Sequence, residues 1–353
     1  MKNSLAVRTG ACVLACGFFL FTGTAPTAGA GDSTGCERPA SFAQDDMQLP
    51  TVDSHTGTHI RPATERVEAT PETVAQAMGQ LERSAREECR QWADKAFEEF
   101  EQSTYREPFP GGKYIVNGDI AIFDRVRLRE FFETRIKQEP SEPMSDALVV
   151  HKVGGKDAVW DSNLKKQLTY CVSSAFGERQ QRVIRDMEKA TAAWEEVADV
   201  DFIHVPAEDA DCTPDNTGVV FDIRPVDVDG QYLARAFFPN EERAERNVLI
   251  DESSFRLEPD GALQLVGILR HELGHTLGWR HEHTRPESGT CFEDNNWRPL
   301  TDYDRFSVMH YPQCNGGADW SLKLTHMDKN GAACVYGPAP GFQTDPKICQ
   351  ARS

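Results

Sequence analysis

Residues 271–281 read His-Glu-Leu-Gly-His-Thr-Leu-Gly-Trp-Arg-His, a run whose side chains could hold a metal ion and move a proton beside it. His271 and His275 are four positions apart, so on a helix they leave one face a turn apart, each offering an imidazole nitrogen. Gly278 can take the left-handed conformation that ends a helix, which lets the chain turn and bring His281 back as a third ligand. Three such ligands suit a single catalytic zinc ion and leave its fourth position open for water. Glu272, next to the first ligand, is placed to take a proton from that water and hand it to a leaving amine. A bare His-Glu-x-x-His arises by accident in roughly one chain of this size in fifty. Requiring the Gly and the third His lowers that to roughly one in tens of thousands. The competing explanation, an amphipathic surface helix with incidental histidines, is correspondingly weak.

A second motif follows at Ser307-Val308-Met309-His310-Tyr311. The pair resembles the metzincin superfamily of zinc endopeptidases, over residues 157–338. The resemblance implies that Met309 forms an apolar floor beneath the metal without ligating it. It also implies that Tyr311, as in astacins and serralysins, coordinates zinc at rest or swings to stabilise the tetrahedral intermediate. A buried Tyr with a structural hydrogen bond is the plainer alternative. Glu282 and Arg285 match the astacin pattern His-Glu-x-x-Arg, from which Pro286-Glu287 departs. Ala190–Val205, with Ala193-Trp194-Glu195-Glu196-Val197 and Phe202, resembles instead the first long helix and following strand of matrixins, as does Leu233-Ala234-Arg235-Ala236-Phe237-Phe238-Pro239. Matrixins carry a ligand of a second, structural zinc where this chain has Arg235, so the resemblance implies one zinc. It further implies a substrate bound extended along Ala234–Phe238, main chain to main chain.

Val116-Asn117-Gly118-Asp119 resembles the Phe-x-Gly-Asp motif of astacin pro-segments, with Val in place of Phe. Asp119 would then sit on the zinc and displace the water, a role a carboxylate can fill. Asn-Gly between two β-prone runs is also a hairpin signal in its own right. In the same scheme Glu282 would meet the new N-terminus formed on activation. The Pro-Arg-Cys-Gly motif of matrixin pro-segments is not found.

The elements that must position these residues follow from patterning. Leu265, Val266, Leu269, Leu273 and Leu277 recur at helical spacing, with Asp260 a candidate N-cap for the active-site helix. Leu168–Val172, Val219–Ile223, Leu233–Phe238 and Asn247–Ile250 read as strands, and Val183, Met187, Ala190, Trp194 and Val197 as a long amphipathic helix. A short helix is expected over Asp328–Tyr336. Upstream, a helix is expected from Pro71 to about Gln102, short strands flank Asn117-Gly118-Asp119, another helix covers Val126–Ile136, and Gln138–Met144 reads as a linker. The expected fold is α/β of the α+β kind. A twisted mixed sheet, a long active-site helix and a small irregular C-terminal subdomain follow a mainly helical pro-segment. The expected division is 1–30 signal peptide, 31–155 pro-segment and 156–353 zinc metallopeptidase domain.

Met1-Lys2 to Arg8, the apolar run Ala11–Thr22 and Ala28-Gly29-Ala30 form an export leader. Lipoprotein anchoring through Cys16 fits less well, because Phe18-Phe19-Leu20-Phe21 continues the apolar run beyond it. The ten Cys, two of them in the leader, leave even numbers on both sides of the linker; Cys36–Cys89 and Cys291–Cys314 are the expected pairs. A net charge of −18 argues against nucleic-acid and anionic-membrane partners. A monomer is expected. Asp227 and Asp229 beside Gly230 could contribute a calcium site, though acidic turn residues are commonly just solvated. These features point to a secreted zinc endopeptidase made as a zymogen. The alternatives are a catalytically idle binding protein of the same fold, or a zinc amidase or lysin acting on cell walls.

Overall fold

Asn117 and Gly118 take positive φ, 52° and 97°, a backbone these two residue types tolerate best, and the chain reverses there into the expected hairpin. The computed structural model describes residues 94–137, 148–257, 263–291, 293, 296–317 and 320–348. The leader, Cys36, Cys89, Asp260, the linker and the first part of the Pro71 helix lie outside the described residues.

The N-terminal part comprises helix α1 (94–103), strands β1 (Tyr105–Arg106), β2 (Tyr114–Val116) and β3 (Ile120–Ile122), and helix α2 (Arg125–Lys137). The three strands form an antiparallel sheet in chain order. Side chains alternate across β2 as the pleat requires. Tyr114 and Val116 join a core with Phe97, Leu128, Phe131 and Phe132, whereas Ile115 packs with Val228 and Tyr232 of the following region.

Next come β4 (Val149–Val153), β5 (Lys156–Asp157), β6 (Leu168–Val172), helix α3 (Gln180–Glu195), β7 (Phe202–His204), β8 (Phe221–Val226), β9 (Ala234–Arg235) and β10 (Asn247–Asp251). Helix α4 (Leu265–Thr276), β11 (Trp297–Pro299) and helix α5 (His326–Tyr336) complete the described elements. The main sheet runs β7-β6-β8-β10-β9, parallel throughout except for the edge strand β9, which is antiparallel to β10. Val183, Met187, Ala190 and Trp194 bury one face of α3 in the same core as Leu265, Leu269 and Leu273 of α4. The Trp194 indole N–H donates to the carbonyl of Arg270 at 3.0 Å, so the two helices are also fixed lengthwise. A small sheet, β11-β4-β5, stands apart.

Several expected boundaries move. The strand expected at Val219–Ile223 pairs over Phe221–Val226, and of Leu233–Phe238 only Ala234–Arg235 forms a ladder. Gln264, extended at φ −128° and ψ 158°, precedes α4 in the place proposed for Asp260. Helix α5 starts earlier than expected because Thr325 and Asp328 form a capping box. Cys291–Cys314 is bonded as expected, Cys171–Cys212 ties β6 to the loop before β8, and Cys334 is disulfide-bonded too. Strand β4 pairs with β11, and backbone bonds from His151 to Gly278 and from Arg280 to Val149, both 2.8 Å, hold it against the end of the His-rich run.

Candidate metal centre

Helix α4 carries His271 and His275 one turn apart, and its end is set by Gly278. Gly278 has φ 96°, and a Cβ there would stand 2.3 Å from the Ala158 carbonyl oxygen, so both the turn and the packing demand glycine. Beyond it the chain returns and buries His281 completely. The three rings meet: His271 and His281 approach through their Nε2 atoms at 3.2 Å, and His275 packs edge-on against both.

Each ring has its other nitrogen occupied. His271 Nδ1 donates to the Val308 carbonyl at 2.7 Å, His275 Nδ1 to the Trp279 carbonyl at 2.7 Å, and His281 Nδ1 to the Glu293 carboxylate at 2.5 Å. With Nδ1 donating behind each ring, every Nε2 is directed towards one point, where a bound metal would displace any proton it carries. The fourth group there is Asp119, at the end of the hairpin turn. Its carboxylate oxygens lie 3.3 Å from His271 Nε2, 3.7 Å from His275 Nε2 and 3.1 Å from His281 Nε2. Ligand atoms around a tetrahedral zinc at about 2.0–2.2 Å are separated by about 3.4 Å, so this donor set fits zinc. Two of these buried atoms, Asp119 Oδ1 and His275 Nε2, have no hydrogen-bond partner, as expected of groups whose partner is a cation.

Electrostatics agree with that assignment. Burial opposes the charge on Asp119, but the His281, His271 and His275 rings hold its carboxyl well below the usual range. Burial lowers His275 to about 4. Burial would lower His281 as well, yet the facing carboxylates of Asp119 and Glu293 overcome it and raise the ring to about 10. Two carboxylates directed at one imidazole make this a place that attracts positive charge.

The other expected residues take distinct places. Glu272 is buried, one oxygen lacks a partner, and burial followed by the Asp119 charge pushes its carboxyl well above the ordinary range. Tyr311 stacks on His271 with centroids 5.5 Å apart, and its hydroxyl donates to Asp119. A Cβ on Gly118 would lie 2.9 Å from that hydroxyl, so glycine allows the hairpin to seat this closely. Met309 is fully buried beside Gly274 in α4. Glu282 stands apart from the cluster: one oxygen accepts from the Asp304 amide at 3.1 Å and faces Arg285 at 3.7 Å, and the other is buried without a partner. Arg235, expected only as a missing ligand, is paired with Glu107. The residue that sequence reasoning missed is Glu293. It lies in a loop with no periodicity and no ligand spacing, so nothing local singles it out.

Residues 159–288 match the family described as Matrixin. A stretch of 102 residues is 32% identical to astacin-like metalloprotease toxin 2 of Loxosceles intermedia, covering 24% of this chain and 40% of that protein. The chain thus spans well under half of that relative's length. Among solved structures, high choriolytic enzyme 1, a hatching enzyme zinc-protease of the medaka fish Oryzias latipes, is 18% identical. That match covers 53% of this chain and 98% of the other, with a TM-score of 0.35. The family match takes in the three histidines and Glu272 and ends before Met309 and Tyr311; Asp119 lies outside it on the other side.

Proposed function

Because this chain carries a zinc-metallopeptidase domain of the metzincin type, we propose that it is an exported zinc endopeptidase kept latent by its own N-terminal region. One observation carries the latency: Asp119, on the hairpin before the matched domain, lies 3.1–3.7 Å from all three imidazole Nε2 atoms. His271, His275 and His281 would hold a single zinc ion, with Asp119 as the fourth ligand of the latent chain.

When bound, the metal polarises the scissile carbonyl and makes a water molecule acidic. Glu272 takes the proton of that water and delivers it to the leaving amine, a task suited to a carboxyl whose pKa burial has raised. Burial and the neighbouring Asp119 hold Tyr311 protonated, so its hydroxyl is a donor. With Asp119 withdrawn, that hydroxyl is free to donate to the oxyanion formed at the carbonyl. An extended peptide lies along 234–238, where Ala236 and Phe238 line the cavity beside Asp119 and His275.

Strand β4 supports a processing cut before Leu148, ahead of the expected boundary at 155/156, because β4 pairs with β11 and holds Gly278 and Arg280. The buried, unpartnered oxygen of Glu282 supports a role in receiving the freed α-ammonium. The leader and the disulfides suit an oxidising compartment. The test is casein hydrolysis by the purified chain before and after proteolytic removal of residues ahead of 148. Activity is expected only afterwards, abolished by a chelator and restored by zinc. An intact chain as active as the processed one would refute latency, and casein left uncut by zinc-loaded processed protein would refute the endopeptidase assignment.

A further inference from the structure

Glu107 of the N-terminal region and Arg235 of β9 form an ion pair that is sealed from solvent, 3% and 1% exposed. The contact is side-on and bidentate: Arg235 Nε donates to one carboxylate oxygen at 2.6 Å and Nη2 to the other at 2.9 Å. Its remaining edge is held from below, Nη1 donating to the Asn247 side-chain oxygen at 2.7 Å. The Tyr232 hydroxyl is a third donor to Glu107, at 2.5 Å. Three of these four residues belong to the region that stays after processing; Glu107 leaves. What remains is a guanidinium fixed by Asn247, with its forked edge and a phenol hydroxyl aimed at the position of a missing carboxylate.

The place of that fork along the chain gives it a use. Arg235 precedes Ala236 and Phe238, which line the cavity at Asp119, and the Phe238 ring lies 5.5 Å from that of His275. An extended chain rises about 3.3 Å per residue, which sets Arg235 and Phe238 at most about 10 Å apart along the chain. That is the span of about three substrate residues.

We propose that Arg235, with Tyr232, is an acidic-side-chain subsite of the processed enzyme, one that exists only if the N-terminal region is removed as proposed for the latent chain. Glu107 is then a stand-in for a substrate Asp or Glu lying within about three residues of the scissile bond. One internal competitor is Glu245. It pairs with Lys113 of the departing region at 2.8 Å and loses that partner on processing. If Glu245 swings to Arg235, the subsite is filled from within and no preference appears.

The experiment compares processed wild type with processed R235Q on peptides matched except for Glu or Gln at each successive position. To avoid stranding Glu107 during folding, R235Q is also made together with E107Q; processing removes position 107, so both routes yield the same product. Wild type is expected to favour Glu at one position by about ten-fold or more in kcat/KM, as a charge-assisted bidentate contact gives. In R235Q the Glu-to-Gln ratio at that position is expected to fall to about one. A wild type with no acidic preference, or a preference that survives R235Q, overturns the subsite while leaving latency standing. An intact chain that is fully active without processing overturns both, since Glu107 would then never leave Arg235.

Discussion

Glu293 accepts the Nδ1 proton of His281 at 2.5 Å, while the opposite nitrogen of the same ring faces Asp119 at 3.1 Å. A carboxylate behind a ligand fixes the tautomer, orients the ring and raises its basicity. Glu293 also takes Arg280 at 2.8 Å and His283 at 3.4 Å, so it joins three residues of the returning chain. Glu293→Gln keeps the shape and removes the charge. Zinc affinity of the processed protein is expected to fall roughly 10- to 100-fold, read by competition with a chromophoric chelator. Unchanged affinity would mean that Glu293 only packs.

Asp119→Ala should activate the uncut chain. With zinc present, casein hydrolysis by unprocessed D119A is expected to exceed that of unprocessed wild type by at least about ten-fold, as when a competent fraction rises from a few per cent to most molecules. Equal rates would show that the hairpin blocks the cleft without help from its carboxylate.

The run 271–281 was legible because helical spacing, a glycine stop and a returning histidine are local properties, and the hairpin because Asn117-Gly118 encodes its own turn. Glu293 and Glu107 were not. Each acts through a partner distant in sequence, in a loop with no period to betray it. In the sequence Arg235 signals only the absence of a metal ligand, whereas its partner is Glu107, 128 positions away. Strand β4 escaped because its apolar run is short and its partner β11 lies far downstream.

Glu272→Gln should separate chemistry from metal binding. The side chain offers no ligand atom to the His–Asp cluster, so zinc content should not change. For the processed enzyme kcat is expected to fall by roughly 10²- to 10⁴-fold, the share usually carried by a positioned general base. Retention of most activity in a stopped casein assay would remove Glu272 from the mechanism.

Gly274 decides how close Met309 can come to helix α4. A Cβ at 274 would meet Met309 Sδ at 2.3 Å and Trp194 Cζ2 at 3.4 Å. Gly→Ala inside a helix normally stabilises by about 1 kcal/mol, but forcing a methyl into a packed core costs about 1–3 kcal/mol. The clash should win, and Gly274→Ala should lower the denaturant midpoint. Adding Met309→Ala makes room, so the double variant should be no less stable than Met309→Ala alone. Strictly additive losses in urea melts would place the strain elsewhere.

His151 should shape the acid limb of the stability curve. Its ring stacks on Phe238 at 4.2 Å, Nδ1 is buried with no partner, and burial, helped by the Arg280 charge, lowers its pKa to about 3. The unfolded chain therefore takes up this proton near pH 6.5 and the folded chain only near 3, so the unfolded state binds more protons in between. Stability from this group is complete above pH 6.5 and declines as pH falls towards 3, by at most about 1.4 kcal/mol per pH unit. His151→Phe keeps the stacking surface and does not titrate. The difference in unfolding free energy between variant and wild type should shift in favour of the variant by at most about 2 kcal/mol between pH 6.5 and 5, a range mostly above carboxylate titration. Parallel curves over that range would mean that the folded ring accepts its proton as readily as the unfolded one.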